Sequence, residues 1–244
     1  MTEFLNLPLR RIIARAEDKP APSGAWPYNL AITRRALDGL DFGALTVITG
    51  ENGAGKSTLV ESIAEAYGLP LGGGDAQVAR PGYENSSAFG FALQVVRGAA
   101  RRRAGLFLRA EGLLAHLEYL AELQSDRAKK MLRLSHGEST QRFLEYAQEN
   151  YGLWILDEPE SGLSLNGQLQ LLARILDFLQ SGGQVILCTH SPLLASLADF
   201  RDEQVWEIGE WGLRLRSWRE LEMVRDWQAI LQEPGCYLRY LAES

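Results

Sequence analysis

Nine consecutive residues, 50–58, have the types and spacing needed to hold a phosphate. They read GENGAGKST and follow the apolar run LTVIT. The three glycines permit backbone angles that side chains would block, so successive N–H groups can turn toward one phosphate. A helix that begins near Lys56 would add the positive end of its dipole. The expected phosphate-binding residues are Asn52, Gly53, Ala54, Gly55, Lys56, Ser57 and Thr58.

Two side chains of this loop carry further chemistry. The spacing Gly-x-x-x-x-Gly-Lys-Ser is the P-loop pattern, in which Lys56 reaches the β- and γ-phosphates and the Ser57 hydroxyl binds Mg²⁺. Lys56 is the only lysine between Lys19 and Lys129, because the chain otherwise uses arginine for positive charge. A glycine-rich turn without chemistry is the alternative, but the strand-loop-helix context favours the nucleotide site.

Two adjacent carboxylates follow a second apolar run. Residues 153–156 read LWIL and precede Asp157 and Glu158. Parallel sheets bind ligands at the carboxyl ends of their strands. We therefore expect Asp157 to bind Mg²⁺ and Glu158 to polarise an attacking water as a general base. The alternative interpretation is a solvated acidic turn.

A histidine ends the next apolar run. His190 stands 33 residues after Asp157, in the sequence CTHSP. If both strands belong to one parallel sheet, the two residues reach the same edge. A neutral imidazole there can donate to a γ-phosphate and sense its loss, whereas a lone histidine after a strand usually has a structural role.

A helix start lies upstream of the acidic pair. Residues 135–138 read SHGE, which is a capping box with Ser135 at the N-cap and Glu138 reaching back to its amide. A capped helix start can also bind an anion, because its first N–H groups carry partial positive charge. The two interpretations are compatible, and Ser135, Gly137 and Glu138 are candidate ligand contacts.

Alternating strands and helices must position these residues, and they predict an α/β fold with a mostly parallel sheet. An edge strand is expected around residues 9–13, and a short strand and one turn of helix within 26–42. A terminal hairpin is expected from residues 204–208 and 213–218. The remaining predicted strands are 45–49, 105–108, 153–156 and 184–189, and the predicted helices are 56–67, 110–124, 134–148, 168–179, 219–231 and one from residue 192.

Composition limits the class of protein. The chain has 244 residues, a formal net charge of −6 and two cysteines. Two cysteines in so long a chain indicate reduced thiols and a cytoplasmic location. Residues 1–15 lack a signal peptide, and no apolar run is long enough for a membrane span, so direct membrane insertion is not expected. Arginine runs such as 101–103 can meet nucleic-acid phosphates, but solvated surface is the simpler interpretation.

The order of these motifs resembles the head domain of ABC-type ATPases, a class of P-loop NTPase. That order is Walker A (50–57), signature (134–138), Walker B (156–159), D-loop (160–164) and switch histidine (His190). The chain looks most like the compact ATPases that carry the broad AAA-family label. The resemblance implies one domain over residues 1–244. It also implies a mostly parallel central sheet, a small antiparallel β region and a helical signature subdomain at about 105–150, with a glycine-rich insertion at about 68–90.

The resemblance also implies a mechanism. In this family two heads pair head to tail, and ATP on one Walker A loop is closed over by the signature helix of the other. The chain is then expected to hydrolyse ATP with Mg²⁺ as an ATP-dependent homodimer. Ser135, Gly137 and Glu138 would act on the partner's nucleotide, and residues 160–164 would couple the two sites. Lys56, Glu158 and His190 are the expected catalytic residues.

Three departures from the family pattern bear on which process the ATPase drives. The signature ends in Glu138, whereas transporter ATPases usually have glutamine there, and glutamate is more like the chromosome-maintenance and recombination-repair ATPases. A clear Q-loop is lacking: Gln94 lies in an undefined segment, and Arg109 or Glu111 is the alternative. The adenine-stacking aromatic is Trp26 or Tyr28, although core packing is the simpler role for each.

Three biological functions stay open. The first is a soluble ATP-driven switch in DNA repair or defence, with nucleic acid or a protein as partner. The second is the ATP-binding subunit of an ABC membrane transporter. The third is a nucleotide-gated binding module without catalysis. The signature glutamate favours the first of these functions.

Overall fold

The computed structural model describes residues 6–16, 24–70, 74–75, 88–109, 117–118, 121–122, 125–134, 136–235 and 239. Within these ranges the strands form one seven-stranded sheet and one three-stranded sheet. The strands are β1 (Arg11–Ala14), β2 (Leu40–Asp41), β3 (Leu45–Gly50), β4 (Gly74–Asp75), β5 (Leu93–Val96), β6 (Gly105–Arg109), β7 (Leu153–Asp157), β8 (Gln184–Cys188), β9 (Val205–Gly209) and β10 (Gly212–Arg216).

The large sheet has the order β10-β9-β3-β8-β7-β6-β4. The five strands from β9 to β6 pair in parallel, and the two outer strands, β10 and β4, are antiparallel. Strand β8 lies between β3 and β7, with Cys188 opposite Ile48 on one side and Asp157 on the other. The predicted mostly parallel α/β fold with a small antiparallel sheet is confirmed.

The helices in the described ranges cover the sheet and set the ends of the functional loops. They are α1 (Ala31–Asp38), α2 (Lys56–Tyr67), α3 (Ala88–Phe91), α4 (Asp126–Met131), α5 (His136–Asn150), α6 (Leu165–Gln180), α7 (Pro192–Phe200) and α8 (Glu222–Gln232), with a 3₁₀ turn at Trp218–Glu220. Ser164 and Ser191 cap α6 and α7 by accepting hydrogen bonds from backbone N–H groups. Among these helices none is both long and apolar enough to cross a lipid bilayer.

The central strands are apolar on both faces because both faces are covered. Along β7, Trp154 and Leu156 pack into the core beneath α5, α6 and α7. Leu153 and Ile155 point to the opposite core, with α2 and the three-stranded sheet. The Trp154 ring stacks on Phe178 of α6 at a centroid distance of 3.9 Å. Each functional strand end is therefore held between two packed layers.

The N-terminal strand was predicted wrongly as an edge strand. The small sheet has the order β2-β1-β5, so β1 is its central strand, and Ile12 is fully buried. The segment 26–42 was also predicted differently: it holds the eight-residue helix α1 and then β2. Pairing partners come from distant parts of the chain, and a local apolar pattern does not specify them.

Several predicted elements fall partly outside the described residues. Of the predicted helix 110–124, only residues 117–118 and 121–122 are described. Most of the glycine-rich insertion at 68–90 lies outside the described ranges as well. The predicted single domain over 1–244 and the signature subdomain at 105–150 stay predictions.

Candidate functional site

The carboxyl ends of three neighbouring strands bring the predicted chemistry to one edge of the sheet. Strand β3 leads into the P-loop, β7 into the acidic pair, and β8 into the segment with His190. The sheet order places β8 in the middle, so its loop borders both of the others. Parallel α/β sheets bind ligands at this edge. Residues predicted from separate parts of the sequence therefore lie together.

The P-loop turns on three glycines whose φ angles are all positive. These angles are 140° at Gly50, 79° at Gly53 and 93° at Gly55. A Cβ on Gly50 would lie 1.9 Å from the carbonyl oxygen of Ile208 on β9, so glycine is required there by contact as well as by angle. A Cβ on Gly55 would meet Leu30 and Ile32 at 2.9 Å. Side chains at positions 50 and 55 would therefore collide with their surroundings, whereas position 53 favours glycine by its angle alone.

The other predicted loop residues continue the P-loop into α2. Asn52 is exposed, and the N–H of Ala54 donates to the carbonyl of Glu51 at 3.3 Å. Helix α2 has Gly55 at its N-cap, so no N-cap side chain covers its first amide groups. Thr58 lies in the first turn, where its carbonyl accepts from the Ser62 hydroxyl. The positive end of α2 thus faces the loop.

Lys56 is buried and folds against the loop. Its Nζ donates to the carbonyls of Gly50 at 2.9 Å and Glu51 at 2.7 Å. Burial lowers the pKa of Lys56 from its ordinary value, and the nearby carboxylates of Asp157 and Glu158 oppose that change. The loop therefore holds a cation at the point where phosphate oxygens would need one.

Two hard oxygen donors meet where the sequence predicts a metal site. The Ser57 hydroxyl donates to Oδ1 of Asp157 at 3.4 Å, although the two residues are 100 positions apart. Asp157 is 1% exposed. A hydroxyl and a carboxylate, with phosphate oxygens completing the set, fit the preference of Mg²⁺ for oxygen ligands. Burial raises the pKa of the adjacent Cys188 thiol well above its ordinary value.

Glu158 and His190 face each other. The Nε2 of His190 lies 3.4 Å from Oε1 of Glu158, and both side chains are more than one third exposed. Glu158 has a φ of 48°, and its N–H donates to the carbonyl of Cys188 at 2.9 Å. A non-glycine residue in the left-handed region is uncommon, and such conformations concentrate at functional sites. This left-handed residue thus carries the carboxylate that lies opposite His190.

Glu160 fixes the segment that carries the histidine. Its Oε1 accepts from the Thr189 hydroxyl at 2.7 Å, the His190 N–H at 2.7 Å and the Ser191 N–H at 3.1 Å. From the sequence, Glu160 is predicted only as the first residue of the segment 160–164, which would couple the two sites. Its carboxylate, three residues after Asp157, could have drawn attention to it. Its contact with the His190 segment could not be predicted, because that contact depends on which strand lies next to β7.

Arg109 ends β6 directly opposite Asp157 on β7. Its Nε and one terminal nitrogen donate to Oδ2 of Asp157 at 2.9 and 2.5 Å, and the same terminal nitrogen lies 2.7 Å from Oε1 of Glu61. Burial alone would lower the pKa of Arg109, but its pairing with Asp157 and Glu61 outweighs burial and raises the pKa. Of the Q-loop candidates, Arg109 is at the site.

The other two Q-loop candidates are not placed there. Gln94 lies on β5 of the small sheet, opposite Ile13, so its assignment is not supported. Glu111 lies outside the described residues. Of the adenine-stacking candidates, Tyr28 packs edge-on against Phe89 at 5.7 Å, which is the core-packing alternative, whereas Trp26 is 64% exposed.

Gly137 and Glu138 of the signature begin α5 near the loop after β7. Ser135 lies outside the described residues, so the predicted capping box is described only from its helix side. Gly137 and Glu138 lie in the first turn of α5. A Cβ on Gly137 would lie 3.6 Å from Leu163, the one described contact within 4 Å beyond its own helix. Gly137 therefore lies beside Leu163 of the segment 160–164 within this chain.

A cavity of about 300 Å³ borders the other side of the P-loop. Four carboxylates line it, together with His190 and Trp211. This concentration of negative charge disfavours a phosphate inside the cavity. The carboxylates are Glu51, Glu207, Glu222 and Asp226.

A P-loop, a strand-end acidic pair and an adjacent histidine on one edge of a parallel sheet define a P-loop nucleotide-binding protein. No protein-family model matches the chain. The cytochrome c biogenesis ATP-binding export protein CcmA of Rhodopseudomonas palustris is 32% identical over 189 residues, which cover 69% of this chain and 90% of that protein. CcmA of Bradyrhizobium diazoefficiens is 32% identical over 174 residues, which cover 66% of this chain and 86% of that protein.

The chain therefore belongs to the ABC-type ATPase family, which includes these export proteins. The ABC-type head and the ATPase activity predicted from the sequence are confirmed. Among solved structures, cbiO1 from Clostridium perfringens, part of the ABC transporter complex cbiONQ, is 17% identical with a TM-score of 0.46, over 84% of this chain and 89% of that chain. The suggested closeness to chromosome-maintenance and repair ATPases is not supported, because the two relatives described above are export proteins.

Proposed function

We propose that the chain is the ATP-hydrolysing subunit of an ABC-type export complex and works as a homodimer that closes around ATP. The observation that carries this proposal is its similarity to an ATP-binding export protein over 90% of that protein's length. This is the transporter alternative from the sequence, and it replaces the soluble DNA-repair switch as the main interpretation. Its partner is a membrane-embedded permease, and the expected cytoplasmic location stays a prediction.

The geometry supports a specific assignment of roles in ATP binding. The loop 50–58 would wrap the triphosphate with its backbone amides, and Lys56 would neutralise charge on the β- and γ-phosphates. Ser57 and Asp157 would hold Mg²⁺, which when bound offsets the negative charge of the phosphates. The contact between the Ser57 hydroxyl and Asp157 Oδ1 supports this pair, because it brings both donors to one point.

Hydrolysis would depend on Glu158 and His190. Glu158 follows the metal-site carboxylate by one residue, and its half-exposed carboxylate can orient an attacking water and accept its proton. His190 lies within 3.4 Å of that carboxylate, so it can hold Glu158 in position and donate to the γ-phosphate oxygens. Glu160 supports this arrangement by fixing the backbone of His190.

The signature would complete the site of a second copy. Ser135, Gly137 and Glu138 would bind the partner's γ-phosphate at the positive end of α5. The proximity of Leu163 to Gly137 supports a role for residues 160–164 in coupling the two sites. ATP that bridges two copies favours the closed dimer by its differential affinity, and hydrolysis removes the bridge.

Light scattering with ATP and Mg²⁺ tests the composite site. Glu158→Gln should bind ATP, hydrolyse it at least about a hundredfold more slowly and accumulate as a dimer, because the base is lost while binding is kept. Ser135→Arg in the same background should return the protein to a monomer. Glu210→Gln, an exposed carboxylate on the β9–β10 turn, is the matched control and should behave as wild type.

Two outcomes would contradict this proposal. Wild-type turnover in Glu158→Gln would refute the assignment of the base. A Glu158→Gln protein that binds ATP but stays monomeric would leave the signature as a helix cap only, and the working partner would then be a different chain.

A second experiment distinguishes the export function from the DNA-linked switch. The Glu158→Gln protein, trapped with ATP in native membranes, should co-purify with a polytopic membrane protein if the export proposal is right. The switch alternative is favoured by Glu138 at the end of the signature. It instead requires turnover that DNA stimulates and that falls steeply with added salt. DNA stimulation without a membrane partner would overturn the export assignment.

A further inference from the structure

Arg109 joins three elements at the proposed metal site. It is the last residue of β6, and strand register places it opposite Asp157. Its guanidinium also reaches Glu61, which lies one helical turn after Ser57 on α2. The Asp157 side chain is 2% exposed, against 34% for Arg109 and 27% for Glu61. The most buried member of this cluster is thus the proposed metal ligand.

The two oxygens of Asp157 have different partners. Arg109 donates twice to Oδ2, at 2.9 and 2.5 Å, so two charge-assisted hydrogen bonds converge on this one oxygen. The Ser57 hydroxyl approaches Oδ1 at 3.4 Å. A buried carboxylate without a partner is costly, and Arg109 supplies the positive charge that makes the burial of Asp157 tolerable. The same charge opposes the approach of another cation to this carboxylate.

We propose that Arg109 is a positioning residue that competes with the divalent cation for Asp157 and so weakens cation binding at this site. The inference rests on the proposed function, because it takes Ser57 and Asp157 as the metal ligands. A glutamine in this position would offer an oxygen ligand, whereas a guanidinium has donors only and cannot bind a metal ion. Arg109 therefore acts through Asp157 and does not contact the cation itself.

Cation binding can be measured directly with Mn²⁺ and ADP by electron paramagnetic resonance. Arg109→Met removes the competing charge without adding an oxygen ligand and should raise the affinity for Mn²⁺ by about tenfold, as should Arg109→Gln. An increase in Arg109→Gln alone would show that the amide oxygen, and not the lost charge, is the cause, and the proposal would fail. Arg109→Lys keeps the charge and should stay within about twofold of wild type. Arg97→Gln is the matched control, because Arg97 donates to the Tyr67 carbonyl and stacks on the Tyr67 ring. It should leave Mn²⁺ affinity unchanged.

Glu61→Gln gives an independent test if Arg109→Gln does not fold. Glu61 shares the terminal nitrogen of Arg109 with Asp157, so its loss leaves Arg109 bound to Asp157 alone. Mn²⁺ affinity should then fall a few-fold, which is the opposite sign from Arg109→Gln. An unchanged or higher affinity in Glu61→Gln would overturn the proposal.

The remaining outcomes also decide the question. If Arg109→Gln lowers the unfolding temperature but leaves Mn²⁺ affinity as in wild type, the ion pair only supports the strand ends and the proposal fails. If Arg109→Lys shows the same increase as Arg109→Gln, charge is not the cause. Absence of Mn²⁺ binding with ADP both in wild type and in Arg109→Gln would instead refute Ser57 and Asp157 as ligands, and with them the proposed function.

Discussion

Replacing Glu160 with alanine should disconnect the loop after β7 from the segment that carries His190. The Oε1 atom of Glu160 accepts three hydrogen bonds there. The Ser191 N–H also donates to the Thr189 hydroxyl at 2.9 Å and therefore keeps a partner in the variant. Two donors, the Thr189 hydroxyl and the His190 N–H, lose the Glu160 oxygen without a replacement. Hydrogen bonds to a charged group contribute about 1.5–3 kcal/mol each, and partial exposure of Glu160 lowers that, so we expect a loss of about 2–4 kcal/mol.

Urea unfolding in the absence of nucleotide measures this loss of stability. Turnover should fall by about ten- to a hundredfold, because the backbone of His190 is no longer fixed opposite Glu158. ATP affinity should change little, since the P-loop is untouched. Glu160→Gln keeps an acceptor oxygen and should cost about 1 kcal/mol. The exposed Glu210→Ala is the control for loss of a carboxylate.

An unchanged free energy of unfolding in Glu160→Ala would show that backbone pairing alone holds this segment. A stability loss of the expected size with normal turnover would separate the two effects, and it would refute the view that Glu160 positions the histidine for hydrolysis.

Two further predictions follow from the P-loop and the strand beside it. Gly50→Ala should cost about 3 kcal/mol or more in urea unfolding, because its Cβ would lie 1.9 Å from the carbonyl oxygen of Ile208. Gly53→Ala has open space but a φ of 79°, so it should cost only about 1 kcal/mol, and equal costs would contradict the contact argument. The raised pKa of Cys188 keeps its thiol protonated in the folded protein, while the unfolded thiol titrates near its ordinary value of 9.0. The contribution of the protonated Cys188 thiol to folding stability is fully present below pH 9. It is lost as the pH rises toward the pKa of the thiol in the folded protein, by up to about 1.4 kcal/mol per pH unit. Cys188→Ala should abolish this part of the alkaline slope in unfolding titrations.

The parts of the site that could be predicted from the sequence are those set by local spacing. Residues 50–58 form their loop because glycines, a lysine and a serine stand at fixed intervals before a helix. Asp157 and Glu158 end an apolar run, and the end of a buried strand follows from that run alone. These positions depend on few residues, and all of them are close in the sequence.

The parts that could not be predicted depend on which strands become neighbours. Arg109 had only a guessed role, because its partner Asp157 is 48 positions away and the pairing requires β6 beside β7 in one particular register. The role of Glu160 requires β8 next to β7. The same limitation produced the error at β1, whose apolar pattern fits an edge strand or a central strand equally well.

The position of β8 explains how the chemistry is assembled. Its last residue, Cys188, lies opposite Ile48 of β3 and Asp157 of β7, so the segment that follows emerges between the P-loop and the acidic pair. His190 comes two residues later and meets Glu158. If β7 lay directly beside β3 and β8 lay outside it, His190 would still follow a neighbour of β7, but it would leave the sheet one strand, about 4.8 Å, further from the P-loop. The strand order is thus as necessary for the site as the side chains themselves.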